Sequence, residues 1–338
     1  MEMNLMLKIA MLSSWHVHAM EYAQRFSERK DAVVTCVWDE EPTKGEAFAK
    51  ELGVPFVADI DEILARVDVD AVCISAPTNI HEMLMIKAAN AKKHIFTEKV
   101  LALTLAECER IKEAIEKNNV KFTICFFQQA LSHNLFAKQV LDEQLLGQVT
   151  YCRIRNAHSG ASDGWLPPHF YDLTQCGGGA MIDLGAHPMY LIHWLMGMPD
   201  EMASTFTYVT GKEVEDNAVS TMKYKDGRIV ISETGFVSSP SPFILEIYGT
   251  QGALMISGTD VRNKMNISLS SKKILDGTYA GFIQPDQLPT PDAHPVDDFV
   301  EGVLNGSAMK YGIDDAIALT RLMVAAYHAH EAGGFVKV

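Results

Sequence analysis

The chain has 338 residues, 48% of them hydrophobic and 21% charged, with a formal net charge of −14. That length suits two globular domains, the acidic balance opposes nucleic acid, whose phosphates call for clustered Lys and Arg, and no run approaches the roughly 18 uncharged apolar residues of a membrane helix. A soluble protein with no nucleic-acid or membrane partner is expected.

The opening MEMNLMLKIAML carries Glu2 and is followed by Trp15, His16 and His18, so a signal peptide is not expected. Short apolar runs at 8–12, 33–38, 71–75 and 94–97 read as strands, with helical patterns at 19–29, 43–52 and 82–91 between them. Such alternation predicts βαβ units and a parallel sheet covered on both faces. A further helix is predicted over 104–118, with Thr104 as N-cap and Glu107 completing a capping box. Residues 120–126 supply the last strand, which closes a first domain over 1–126.

From 127 onward a second domain is expected, running to 338: a helix over 134–145, a strand over 148–155, then a Gly/Pro/aromatic loop and the tripeptide Gly177–Gly179 before another helix. Between 218 and 269 strand follows strand, with Asp226-Gly227 and Thr250-Gln251-Gly252 as tight turns, which indicates an antiparallel sheet. A final helix over 314–332 ends at Gly333-Gly334. Cys36, Cys73, Cys108, Cys125, Cys152 and Cys176 are scattered without a Cys-x-x-Cys pair and read as buried thiols of a reducing compartment, so the expected location is cytoplasmic.

In a doubly wound sheet, nucleotides bind where the first strand turns into its helix, through a glycine-rich loop. Here that turn is Ser13-Ser14-Trp15-His16-Val17-His18, and Ser13, Trp15 and His18 fall on the three glycine positions. Asp39 ends the second strand where an acid accepts from an adenosine ribose and repels a 2′-phosphate, which favours NAD over NADP; it equally suits the start of the Glu40-Glu41-Pro42 turn. His16, His18 and His81 could form a metal cluster, but no acidic or Cys ligand stands at a supporting spacing, so packing and hydrogen bonding is the preferred reading and no metal is expected.

Two longer segments carry a resemblance. ISAPTNIHEMLMIKAANAKKHIFTEKV, from Ile74, resembles the Pro-x-Asn-x-x-His turn, helix and Glu-Lys-Pro strand end of the glucose-fructose oxidoreductase/inositol dehydrogenase/MocA (Gfo/Idh/MocA) family, with Pro77, His81, Glu98 and Lys99 in step, Asn79 near the asparagine, and Val100 in place of the proline. GGGAMIDLGAHPMYLIHWLMG, from Gly177, is similar to the same family's Gly-Gly-Gly-x-x-x-Asp-x-Gly-x-His segment, with Asp183 and His187 on its ionisable positions. The resemblance implies an α/β protein: an N-terminal Rossmann dinucleotide-binding domain and a C-terminal α+β domain with a large, mainly antiparallel open sheet.

The resemblance also implies NAD bound by Ser13, Ser14, Trp15, His16, Asp39, Ala76, Pro77, Asn79, His81, Glu98 and Lys99. Oxidising a sugar or polyol hydroxyl requires a base at its proton and a donor at its oxygen. The family's pattern gives these roles to His187 as base, Asp183 as the group positioning the imidazole or the substrate, and Lys99 as hydrogen-bond donor. Each has a plain alternative: Lys99 a surface ammonium, Asp183 an N-cap, His187 a core histidine. Asp183 and His187, four apart, would share one face of a helix, with Lys99 facing them across a cleft.

Gln128, Arg153, His158, Trp165, Tyr171 and His294, with Asn156, are candidates for the substrate pocket; Trp165 and Tyr171 suit packing equally, and His294 suits a pre-helix position. Gln128-Gln129 stands where many relatives show arginine. The activity implied is NAD-dependent oxidation of a sugar, polyol or sugar derivative. The alternatives are a glycosidase that oxidises its substrate transiently with NAD, and a binding or regulatory protein without catalysis, which the glycine-poor turn favours. Similar proteins form homodimers or homotetramers through the open sheet face.

Overall fold

The computed structural model describes residues 6–262, 264–274 and 279–338. It divides into two compact units: residues 1–126 with 293–320, and residues 127–292 with 321–338. The division at 126/127 falls where the texture of the sequence changes. The expectation that 127–338 forms one body is corrected, because residues 293–320 return to the first unit.

In the first unit β1 (Leu7–Leu12), α1 (Ala19–Glu28), β2 (Ala32–Trp38), α2 (Pro42–Leu52), α3 (Ile60–Ala65), β3 (Ala71–Ile74), α4 (His81–Asn90), β4 (His94–Thr97), α5 (Leu105–Asn118) and β5 (Phe122–Ile124) build a five-stranded sheet in the order β2-β1-β3-β4-β5. Every pairing is parallel. Ile9, Met11, Leu12, Val72, Ile74 and Phe96 are wholly buried, as strands covered on both faces require. α5 begins with the expected capping box: Thr104 Oγ1 accepts from the Glu107 amide at 3.2 Å, and Glu107 Oε2 accepts from the Thr104 amide at 2.8 Å. The returning segment adds a helix, Pro295–Asn305, tied by Asp297 and Glu301 to Arg29 at 2.8 Å each.

The second unit contains α6 (Ser132–Asp142), β6 (Val149–Ala157), α7 (Leu173–Cys176), α8 (Ala186–Met196), β7 (Glu201–Thr207), β8 (Asn217–Lys223), β9 (Ile229–Gly235), β10 (Phe243–Gly249), β11 (Gly252–Gly258), β12 (Asn266–Ser271), β13 (Tyr279–Phe282) and β14 (Val336–Lys337). Its nine-stranded sheet runs β13-β12-β11-β10-β6-β9-β8-β7-β14. All pairs are antiparallel except β6 with β9, which are parallel. The Asp226-Gly227 turn joins β8 to β9, with Gly227 at φ 91°, a left-handed conformation that glycine adopts at no steric cost. α8 packs against β6 and β9 on one face, where Cys152, Ile154 and Val230 are wholly buried.

The sheet's other face carries a row of half-buried side chains, among them Tyr151, Arg153 and Arg155. All six cysteines are buried. Among the described residues no helix is long and apolar enough to cross a membrane.

Candidate functional site

The turn after β1 is held by its own backbone. Ser13 takes φ 74°, the left-handed conformation that the first glycine of a nucleotide turn usually supplies, and its amide donates to the Trp38 carbonyl at 2.6 Å. The Ser14 amide and hydroxyl donate to Asp39 Oδ2 at 2.9 and 2.7 Å, and the Glu41 amide donates to Oδ1 at 2.8 Å. Three donors on a carboxylate with about four acceptor positions leave capacity for a ribose hydroxyl. The adenosine-ribose end of NAD therefore fits. The pyrophosphate end departs from the glycine-rich pattern: the Trp15 amide donates to Ser13 Oγ, the His16 amide to the Ser75 carbonyl, and the His18 amide to His16 Nδ1. Trp15 is buried.

Two strands along from β1, the end of β4 presents Glu98 and Lys99, both buried. Glu98 Oε2 accepts from the Lys99 amide at 2.8 Å. Glu98 Oε1 meets His18 Nδ1 at 2.8 Å, receives a short hydrogen bond from the Tyr22 hydroxyl, and lies 3.8 Å from His16 Nδ1. Burial alone would raise this carboxyl, but the charge of His16, the hydrogen bond and charge of His18, and Lys99 hold it well below the ordinary carboxylate range. The reading that no acid supports the histidine pair is corrected: the acid is Glu98, 80 positions from His18 in the chain, and the fold brings it there.

His81 is not part of that cluster. It is wholly buried, with Nδ1 beside the Val100 and Leu101 carbonyls at 3.0 and 3.2 Å and Nε2 beside the Ala76 carbonyl at 3.0 Å. Burial lowers its pKa against these carbonyls, which favour the cation. Its ring ties the turn after β3 to the segment following Lys99, so it acts on the shape of the site and its placement does not suit direct contact with a cofactor. Ala76 and Pro77 are buried in that turn and Asn79 is exposed. The Lys99–Val100 peptide is cis, with Val100 at the proline position of the family's pattern.

In the second unit, residues 180–185 form turns and α8 starts only at Ala186, with Gly185 as its N-cap. The expectation that Asp183 and His187 share one helix face is thereby corrected. Asp183 sits in the preceding turn, its amide donating to Gly179 O at 3.1 Å. That turn is anchored by Glu215, a buried carboxylate that accepts from the amides of Gly179 and Met181 at 2.9 Å each and from the Tyr327 hydroxyl at 2.6 Å. A Cβ on Gly178 would stand 1.9 Å from the Tyr327 oxygen, and one on Gly179 would stand 2.0 Å from the Glu215 carbonyl oxygen. The glycines are required by this close approach.

His187 is buried, its Nδ1 2.9 Å from the Tyr190 hydroxyl, which also accepts from the Gln128 amide at 3.2 Å. Phe127 and Tyr190 meet the imidazole edge to face at 5.4 and 5.5 Å. The Gln128 side chain is 1% exposed, and neither its amide oxygen nor its nitrogen has a hydrogen-bond partner among the described residues. A buried amide in that condition costs about 1–3 kcal/mol unless something else satisfies it. Tyr190 was missed from sequence, although its place three residues after His187 is a signal that helical spacing could have given. Glu215 and Tyr327 carry no local signal.

The pocket candidates separate. Arg153 is corrected: strand alternation puts it on the face opposite Cys152 and Ile154, where it binds Glu233 through two nitrogens at 2.8 and 2.9 Å and Glu246 at 3.3 Å. Asn156 is buried on the other face. His158 stacks on Phe236, with ring centroids 4.9 Å apart, and lies 4.7 Å from Trp165, which is 55% exposed. Tyr171 packs beside Leu166, Phe170 and Phe236, with the Lys212 ammonium 5.0 Å from its ring. His294 belongs to the first unit, where Nδ1 accepts from the Val296 amide at 3.2 Å and caps the helix Pro295–Asn305.

Family models match both units. The oxidoreductase family with an NAD-binding Rossmann fold matches residues 15–126, and the GFO/IDH/MocA C-terminal domain matches residues 135–255. The chain belongs to the GFO/IDH/MocA family. Its first unit is that family's NAD-binding Rossmann domain, followed by a second domain built on a mainly antiparallel sheet.

Among curated relatives, scyllo-inositol 2-dehydrogenase (NAD(+)) of Bacillus subtilis is 28% identical over 249 residues, 71% of this chain and 70% of that protein. A 2,7-anhydro-N-acetylneuraminate hydratase of Mediterraneibacter gnavus is 26% identical over 257 residues, 73% of this chain and 66% of its own length, just under two thirds. Among solved structures, levoglucosan dehydrogenase in complex with NADH and L-sorbose superposes with a TM-score of 0.84 at 16% identity, over 98% of each chain. That likeness speaks for the fold.

Proposed function

We propose that the protein is an NAD-dependent dehydrogenase acting on a hydroxyl of a sugar, a cyclic polyol or a sugar derivative. The observation that carries this reading is the arrangement around His187: an imidazole beside the Tyr190 hydroxyl, which also accepts from the backbone amide of Gln128, whose buried side-chain amide has neither polar atom partnered among the described residues. Hydroxyl-rich ligands both donate and accept, as a primary amide does. NAD, when bound, supplies the hydride acceptor. His187 takes the hydroxyl proton, Asp183 fixes the imidazole or the substrate, Lys99 donates to the reacting oxygen, and Gln128 binds a neighbouring hydroxyl. Ser13, Ser14, Asp39, Ala76, Pro77, Asn79 and the Glu98–Lys99 backbone are the groups proposed to hold the cofactor, with NAD preferred over NADP because of Asp39.

A second reading, with which a hydratase among the relatives is partly consistent, is a glycosidase that uses NAD transiently: oxidation at one carbon eases bond cleavage elsewhere, and the hydride then returns, so that no NADH accumulates. For the molecule in solution we propose a cytoplasmic homodimer or homotetramer joined through the open sheet face; a monomeric mass by light scattering overturns the assembly.

The test is calorimetric titration of cofactor-stripped protein with NAD and NADP, followed by turnover of a polyol and anhydrosugar panel. Micromolar NAD binding with NADH release supports the dehydrogenase. Substrate loss without NADH release supports the redox-neutral reading, and no binding of either nucleotide sinks both. Lys99→Ala and His187→Ala are each expected to lose at least about 100-fold in turnover, the usual contribution of a positioned acid or base.

A further inference from the structure

The residues that take the first nucleotide turn away from its glycine-rich pattern are the ones that converge on Glu98. His16 and His18 stand two apart on the turn after β1, and their ring centroids lie 4.7 Å apart. One ligand atom from each of His16, His18 and Glu98 falls within 4.8 Å of the others. We propose that these three side chains bind a divalent transition-metal cation of the zinc type, held within the first unit.

The donor chemistry favours it. Two imidazoles and one carboxylate make the three-ligand set that leaves a fourth position of a tetrahedral ion open. Ligands at about 2.0–2.1 Å from zinc stand about 3.3 Å from one another in a tetrahedron. The His18–Glu98 and His16–Glu98 separations of 2.8 and 3.8 Å straddle that figure. The His18 amide donates to His16 Nδ1 at 3.2 Å, so this hydrogen bond gives way when that nitrogen takes an ion, and both histidines bind as neutral imidazoles.

The surroundings favour it too. Glu98 is 2% exposed, and a bound cation would supply the counter-charge that this buried carboxylate otherwise draws from His16, His18 and Lys99. Its second oxygen is fixed by the Lys99 amide, and the Tyr22 hydroxyl donates to the first, the kind of outer-shell support that orients a ligand. The His18 side chain is 22% exposed, which gives an ion a way in. Magnesium and calcium prefer all-oxygen sets and suit this site poorly.

The proposal does not rest on hydride transfer. Full-length protein is stripped with chelator, loaded with Zn²⁺, desalted and assayed for metal per chain; Co²⁺ loading adds a visible absorption band diagnostic of low coordination. About one zinc per chain is expected. His18→Gln, on the partly exposed member, is expected to weaken binding at least about 10-fold; because it also removes the His18–Glu98 hydrogen bond, the readout is zinc retained per chain and the rise in melting temperature on zinc loading, while His328→Gln on the exposed side of the last helix changes neither. Less than a tenth of an equivalent in the wild type, or equal zinc retention by the wild type and His18→Gln, overturns the site. NAD affinity is titrated on the same samples, so failure of the cofactor reading and failure of the metal site are separately visible.

Discussion

The Tyr190 hydroxyl stands 2.9 Å from His187 Nδ1 while accepting the Gln128 amide at 3.2 Å. For Nε2 of His187 to receive a proton, Nδ1 must carry one and donate it to the tyrosine oxygen. Tyr190 thus governs which tautomer the proposed base presents. Tyr190→Phe is expected to lower turnover about 10-fold, the equivalent of about 1.4 kcal/mol, with a smaller change in KM and a displaced pH–rate profile. An unaltered profile and turnover would remove Tyr190 from the machinery.

Glu215 is buried, and desolvation raises its pKa above the ordinary 4.5 of a glutamate despite its hydrogen bonds from Tyr327, Met181 and Gly179. The folded state therefore holds this proton more tightly than the unfolded chain. Stability falls as pH rises from 4.5 through the raised value and is level above it. Glu215→Gln is expected to flatten that part of the profile and, by facing an amide nitrogen toward the Gly179 N–H, to cost about 1–3 kcal/mol. Denaturant melts at a series of pH values check both.

His133 gives the opposite slope on another element. Burial takes its pKa from 6.5 down to about 4. The unfolded chain binds the proton first on acidification, so stability is lost as pH falls from 6.5 toward 4, by up to about 3 kcal/mol for 2.5 units at 1.36 kcal/mol each. The difference in stability between wild type and His133→Leu is expected to carry this dependence, and a difference that is flat across that window counts against it.

Arg153→Ala removes three hydrogen bonds to Glu233 and Glu246 on the open face of the second sheet. The expected result is unchanged KM and kcat, with weakened self-association in sedimentation or light scattering. A raised KM would return Arg153 to the substrate pocket.

Gly179→Ala places a methyl group 2.0 Å from a backbone carbonyl that cannot move away cheaply. It is expected to destabilise the fold by about 2–4 kcal/mol, beyond ordinary overpacking. Thermal melts decide, and a loss under 0.5 kcal/mol, about the scatter of neutral surface changes, would show that the turn relaxes.

The parallel sheet was legible because its strands are short, largely apolar runs separated by helical patterns; even the Thr104–Glu107 cap could be read directly. Short elements such as α3 and β7 escaped, since six or seven residues of mixed polarity carry little periodic signal. Among site residues, motif order pointed to Lys99, Asp183 and His187, but the helix expected to carry both Asp183 and His187 starts only at Ala186. The meeting of His16 and His18 with Glu98 was illegible because spacing along a chain says nothing about strand ends that a sheet aligns. Arg153 was misassigned for a simpler reason: alternation along β6 decides its face, and only the structure shows which face α8 covers.

β6 and β9 are the one parallel pair in an otherwise antiparallel sheet, and Tyr151 registers with Ile229, 78 positions later. The hairpins β7-β8-β9 and β10-β11-β12 join neighbours in sequence and can zip locally, whereas β6 pairs with β9 and with β10, 78 and 97 positions beyond Tyr151, and must close a long loop on both sides. Asp183 and His187 lie inside that loop. The expected order is that both hairpin arms form before β6 docks between them, so that the segment bearing the proposed base is enclosed by that late closure.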